Sequence, residues 1–188
     1  MTTPFDPLEA ALGFAAALEE RGVEYAIGGA LALSVWSEPR MTNDVDVNVF
    51  VEPTELDPVF DAIEAVGAVV DRAIARRQAE DRGMFVARWP SLHPLDIFTP
   101  SIDFSYEAAR TRVRRRLDDR DAWFLSAEGI AIFKLLFFRG KDRVDLERLV
   151  QVRPQLDRAY IRRRLVEDLG EDDERVTFWD AVTARYPT

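Results

Sequence analysis

Asp44-Val45-Asp46-Val47-Asn48-Val49-Phe50-Val51 is the stretch on which the reading of this chain turns. Valines at 45, 47 and 49 alternate with Asp44, Asp46 and Asn48, the period of two that marks a half-buried strand, so the spacing predicts a strand over 44–51. Two carboxylates one residue apart on a strand project to one face, with alpha carbons about 6.6–7 Å apart. One reading is the solvated side of an amphipathic strand, since alternating strands commonly look like this. The other is a metal site. Two divalent cations about 3.5–4 Å apart can be bridged by such carboxylates and clamp the attacking and leaving oxygens of an in-line phosphoryl displacement. Mg²⁺ prefers hard oxygen ligands and keeps several waters, so one or two carboxylates plus substrate phosphates suffice, and no His or Cys is required.

The neighbourhood of the strand favours the second reading. Val23 to Ile27 reads as a short strand, Gly28-Gly29 as a tight turn and Ala30 to Trp36 as a buried helix. Glycines let the backbone approach a ligand closely, and the helix behind them offers N–H groups and a positive dipole end to a triphosphate. This turn lies fifteen positions before Asp44, a separation filled by one helix and a turn, so cradle and acidic strand can be neighbours. A third acid, Asp96, stands between Leu95 and Ile97 in another predicted strand, where aspartate is depleted and asks for a reason.

Further out, Asp6-Pro7 reads as a cap and first helical position, and Leu8, Leu12, Ala15 and Leu18 recur at helical spacing until Gly22. A helix is expected over 55–65, strands over 84–88 and 92–98, and a hairpin of 112–117 with 122–125 around the polar Asp118-Asp119-Arg120-Asp121. From Ser126 the texture becomes helical, with segments to about Phe138 and then near 141–152, 158–168 and 172–186. The expected fold class is therefore α+β. A catalytic lobe over 1–125 and a helical C-terminal lobe over 126–188 are expected to pack as one compact unit.

Composition narrows the classes. At 47% hydrophobic and 31% charged residues the chain is that of a globular protein and not a disordered one. No cysteine is present, which removes thiolate nucleophiles, disulfides and sulfur-bound zinc and makes a reducing, cytoplasmic setting the simplest home. No basic leader and no run of roughly 18 apolar residues is seen, so neither export by a signal peptide nor a membrane span is expected. The net charge of -9 repels nucleic-acid backbones, so an RNA partner would have to be met by a local basic patch.

Ile27-Gly28-Gly29, then Asp44-Val45-Asp46-Val47, then Leu95-Asp96-Ile97 together resemble the three-part signature of the DNA polymerase β-like nucleotidyltransferase superfamily. Within it, the Arg40-Met41-Thr42-Asn43-Asp44 approach and the stretch Lys134 to Asp145 look like the AbiEii and MenT-type toxin nucleotidyltransferases of type IV toxin–antitoxin systems. The resemblance implies a nucleotidyltransferase-like mixed β-sheet flanked by helices and transfer of a nucleotidyl group from a nucleoside triphosphate to an acceptor hydroxyl, with two Mg²⁺ ions or Mn²⁺ in their place. It implies Asp44, Asp46 and Asp96 as metal ligands and catalytic residues, Gly28 and Gly29 at the triphosphate, and Arg40 and Thr42 at the nucleotide. Lys134 would steady the nucleotide and act in catalysis, with Asp142 and Asp145 as the acidic part of the same motif; which of the two is functional stays open. As acceptor it favours tRNA in a toxin with a cognate antitoxin. A small alcohol, as in aminoglycoside or lincosamide nucleotidyltransferases, uses the same layout, and a non-catalytic binding protein of this fold is the reading from another class.

Lysine usage points to the same region. Of 25 basic residues only Lys134 and Lys141 are lysine, and a compact ammonium in an arginine-preferring chain suits phosphate. The alternatives are a lysine snorkelling from an apolar helix and, for Asp142, Asp145 and Arg148, a salt-bridged helix face. Arg112, Arg114 and Arg116 share one face of a predicted strand and form the densest basic patch, either an RNA guide or a solvated hairpin face partly cancelled by the acids that follow. Arg162-Arg163-Arg164 admits the same two readings, with pairing to Glu167 and Asp168 sufficient. His93, the single histidine, is three residues before Asp96 but cannot by itself build a histidine metal cluster. Trp36, Trp89, Trp123 and Trp179 are scattered as core residues would be.

Overall fold

The computed structural model describes residues 5–117 and 119–187; Met1 to Pro4 and the Asp118 of the predicted hairpin turn lie outside them. The described chain divides into two compact units, one of residues 1–32 and 40–125 and the other of residues 33–39 and 126–188.

The first unit is built on a six-stranded mixed sheet in the order β3-β4-β2-β1-β6-β5. Its strands are β1 (Tyr25–Ile27), β2 (Val45–Val49), β3 (Met84–Arg88), β4 (Pro94–Phe98), β5 (Val113–Leu117) and β6 (Arg120–Phe124). The acidic strand of the sequence reading is β2, near the middle of the sheet. It runs antiparallel to β1, with Ile27 opposite Val47, and parallel to β4, with Val45 opposite Leu95 and Asp46 opposite Asp96. Val45, Val47, Val49, Leu95 and Ile97 are buried, while Asp46 and Asp96 are half-buried on the alternate positions. Each fully buried aliphatic side chain of this kind is worth about 1.5–3 kcal/mol, so the valine face fixes the register that sets the acids.

Helix α1 (Pro7–Glu20) packs on β1, β2 and β6 and against α3 (Asp57–Ala65). Its start is as read: the Asp6 carboxylate accepts from the N–H groups of Leu8 and Glu9, and Pro7 supplies the first turn. Two helices without an expectation in the sequence reading are also present, α4 (Arg72–Arg82) and α5 (Asp103–Thr111). The predicted hairpin forms as β5 and β6, paired from Val113 opposite Phe124 to Leu117 opposite Arg120.

The second unit takes Leu33 to Pro39, which includes the end of α2 (Gly29–Trp36), and α6 (Ala127–Phe137), α7 (Gly140–Val152), α8 (Arg158–Leu169) and α9 (Glu174–Arg185). Ser126 caps α6 by accepting from the Gly129 N–H at 3.0 Å. Leu135, Leu146, Leu149, Ile161, Leu165, Val176 and Trp179 form its apolar interior. The α6–α7 corner turns through Phe138 at φ +53°, held by an edge-on contact with Phe178 and by the Arg143 guanidinium over its ring. No helix among the described residues is long and apolar enough to cross a membrane.

Candidate active site

Antiparallel pairing brings the end of β1 to the start of β2, and this places the diglycine turn beside the acids. The Gly28 N–H donates to the Asp46 carbonyl at 2.8 Å, so the turn is tied to β2 through the backbone. Gly28 has little room for a side chain: a Cβ there would be 2.9 Å from Asn48 Nδ2, and that amide would have to shift. Gly29 has less. It begins α2 at φ +56°, and a Cβ on it would lie 1.8 Å from Asp46 Oδ2 and 2.4 Å from Asp46 Cγ. The carboxylate of Asp46 thus rests directly over Gly29, and only glycine meets both the left-handed backbone and the close approach.

Asp96 is the residue paired with Asp46 across β2 and β4. Adjacent strands are about 4.8 Å apart, so the two carboxylates leave one face of the sheet as neighbours. Asp44 stands two positions before Asp46, just ahead of β2, and is half-buried. Its backbone is bracketed by Thr42, whose hydroxyl is 3.2 Å from the Asp44 N–H and 3.3 Å from the Asp44 carbonyl. Arg40, Met41, Thr42, Asn43 and Asp44 line an open hollow of ≈ 240 Å³. Arg40 turns one N–H toward the Met41 carbonyl at 3.4 Å. The structure therefore brings Gly28, Gly29, Asp44, Asp46 and Asp96 to one end of the sheet, with Arg40 and Thr42 on the segment leading into it.

Among the described residues no group of three or more His, Cys, Asp or Glu is drawn together tightly enough to hold a metal ion. The donor set nonetheless fits Mg²⁺, which takes one or two carboxylates and completes its shell with water and substrate oxygens. Asp46 and Asp96, in register on neighbouring strands, supply that pair.

Lys134, Asp142 and Asp145 belong to the second unit and form a cluster of their own. The Lys134 ammonium donates to Asp145 Oδ2 at 2.7 Å and to Asp142 Oδ1 at 3.4 Å. All three are buried, with relative exposures of 5%, 0% and 2% for Lys134, Asp142 and Asp145. Asp142 Oδ2 also accepts from Arg139, from Nε at 2.7 Å and from the backbone N–H at 3.1 Å. Burial pushes the Asp142 carboxyl up, but the hydrogen bonds and charges of Arg139 and Lys134 outweigh it and hold the group below its ordinary value. The sequence offered the ligands of this cluster but not their mutual pairing.

The weaker sequence signals resolve locally. Arg112 bonds Glu24 at 2.6 Å and lies over Trp123 at 4.8 Å, Arg114 faces Asp121 at 4.0 Å, and Arg116 reaches the Asp119 carbonyl at 3.4 Å. Arg162 pairs with Asp180 and Glu171, and Arg164 with Glu167 and Asp168. His93 stacks on Phe5 at 3.9 Å, and its Nδ1 is 3.0 Å from Ser91 Oγ. Trp36, Trp89 and Trp179 are buried and Trp123 is half-buried.

Comparison with solved structures finds this mixed sheet and its helices similar to nucleotidyltransferase folds. The antibiotic-resistance factor ANT(2'')-Ia in solution superposes with a TM-score of 0.56 at 18% identity, over 97% of this chain and 95% of that one. The same factor in complex with adenylyl-2''-tobramycin gives 0.51 at 18% identity, over 96% and 99%. The lincosamide antibiotic adenylyltransferase LnuA with lincomycin bound gives 0.52 at 15% identity, over 77% and 96%. Neither a family model nor a curated protein matches the sequence.

Proposed function

We propose that this protein is a Mg²⁺-dependent nucleotidyltransferase that moves a nucleoside monophosphate from a nucleoside triphosphate to the hydroxyl of a small, polyhydroxylated acceptor. The observation that carries the reading is the in-register pair Asp46 and Asp96 on β2 and β4, with Gly29 against Asp46. Two like charges set side by side on neighbouring strands repel one another, and a bound divalent cation would offset that repulsion.

In this reading Asp46 and Asp96, with Asp44 just ahead of β2, would hold the cations, and the start of α2 would receive the triphosphate. Bound divalent cation would neutralise charge developing on the α-phosphate and lower the pKa of the attacking hydroxyl. Asp96 takes the proton of that hydroxyl as its oxygen bonds to the α-phosphorus. The bond from the α-phosphorus to the bridging oxygen breaks, and pyrophosphate leaves with the electron pair. Thr42 sets the backbone that delivers Asp44, and Arg40 serves the nucleotide from the same segment. Lys134, its ammonium spent on Asp142 and Asp145, acts in this proposal by fixing α7 on α6.

Two observations support a small acceptor. Two of the solved structures of like fold carry tobramycin or lincomycin chemistry. Of the arginines on the hairpin, Arg112 is engaged with Glu24 and Trp123 while Arg114 and Arg116 stay exposed, and the whole chain is acidic at -9, a field that repels a nucleic-acid backbone. A tRNA-modifying toxin with an antitoxin partner draws no comparable support from these contacts. Incubation with each α-labelled triphosphate and Mg²⁺, separately with aminoglycosides, lincosamides and total RNA, tests the assignment. Label is expected on a small acceptor; label on RNA alone would transfer the proposal to the toxin reading, and no label on any acceptor would leave a binding protein of this fold.

A further inference from the structure

Gly29 and Asp46 stand closer than a shared site requires. With Asp46 Oδ2 only 1.8 Å from where a Cβ of Gly29 would be, the carboxylate fills the volume over the first residue of α2. A carboxylate is favoured there by the positive end of the helix, for the same reason that a phosphate is. Two anions cannot occupy one volume, and their charges repel across a short distance. Gly28 cannot relieve the conflict by moving away, because its N–H is bonded to the Asp46 carbonyl and its alpha carbon faces Asn48.

From this contact we infer that Asp46 is a positioning gate as well as a ligand: its carboxylate and the triphosphate compete for the space over Gly29, and a divalent cation relieves the competition by engaging the carboxylate. Metal and nucleotide then bind with positive coupling, and Gly29 is glycine because it must leave room for the acid. The inference rests on the nucleotidyltransferase reading and adds to it the order in which the site becomes competent.

The test is binding of a fluorescent ATP analogue to the full chain, in EDTA and in Mg²⁺, for wild type, Asp46→Ala and Asp96→Ala. Wild type is expected to bind weakly in EDTA and to tighten with Mg²⁺. Asp46→Ala should bind the metal-free analogue about fivefold or more tightly than wild type, the lower end of ordinary site-to-site coupling. Asp96→Ala removes the same charge without removing the atoms nearest Gly29 and should not show this gain. Equal gains in both variants would reduce the effect to net charge and overturn the gate, as would no gain in Asp46→Ala. Thermal melting of Gly29→Ala, alone and combined with Asp46→Ala, supplies a second arm: the loss should be smaller in the combined background, and equal losses would refute the contact. Failure of wild type to bind the analogue even with Mg²⁺ would remove the nucleotidyltransferase reading itself, whereas binding with no gain in Asp46→Ala removes only the gate.

Discussion

Asp142 shows how a single carboxylate can be held ionised inside a protein. With no exposed surface, it keeps its charge because Arg139 and Lys134 bond both of its oxygens. Its folded-state pKa is below the unfolded value, so the stability it contributes is complete above about pH 4, the unfolded value for aspartate, and is lost as pH falls through the folded value. Melting temperatures measured from pH 6 down to pH 2 should decline less steeply in Asp142→Asn than in wild type over the acid limb. Lys134→Met would take the ammonium away from buried Asp145 and leave Asp142 to Arg139, and breaking a buried pair of this kind destabilises by about 3–5 kcal/mol. Chemical denaturation should register that loss; a melting curve equal to that of wild type would show that the pairing is not what holds the corner. Residue identity announced this cluster only in part. Lys134 stood out as one of two lysines, but nothing in the sequence indicated that Phe138 would take a left-handed backbone and fold α7 back so that Asp142 and Asp145 meet it.

At the scale of elements, the strands that build the site were legible because their apolar positions recur with a period of two, and burial of that face leaves the acids one place to go. β2 is shorter than the predicted 44–51: its pairing with β4 starts at Val45 opposite Leu95, and its pairing with the three-residue β1 ends at Val49 opposite Tyr25. Helices α4 and α5 escaped the same logic. In α4 the buried positions are only Ala75 and Ala79, too small to raise an apolar stripe in a segment otherwise charged. In α5 they are Phe104, Ser105 and Ala108, and no side chain caps its start. The β5–β6 hairpin has its own anchor: Arg112, just ahead of β5, lies near both Phe50 and Trp123 while bonding Glu24. A planar guanidinium stacks and an ammonium does not, so Arg112→Lys should lower unfolding free energy by about 1 kcal/mol in urea titration. Unchanged stability would show that the stack contributes nothing.

For the molecule as a whole, the net charge of -9 acts on whatever approaches it. Such a field concentrates cations and repels anions over about a Debye length, near 10 Å at 0.1 M salt. A polycationic aminoglycoside acceptor should therefore show a KM that rises with added salt, while a weakly charged lincosamide should not; steady-state assays at two salt concentrations compare them, and parallel behaviour would discount steering. The fold class was readable from one chain because three separate motifs fell in order along it. The approach of Asp46 to Gly29 was not, since a sequence places residues on a face without saying where a carboxylate comes to rest. The account stands on Asp96 sharing the chemistry of Asp46. Asp96→Asn keeps the shape of the side chain and removes its charge, so with an acceptor found for wild type, its α-labelled nucleotide transfer is the most direct measurement. The account predicts a rate lower by on the order of a thousandfold or more, with the melting temperature kept, as loss of several kcal/mol of metal and proton handling requires. Transfer at the wild-type rate by a folded Asp96→Asn protein would contradict it.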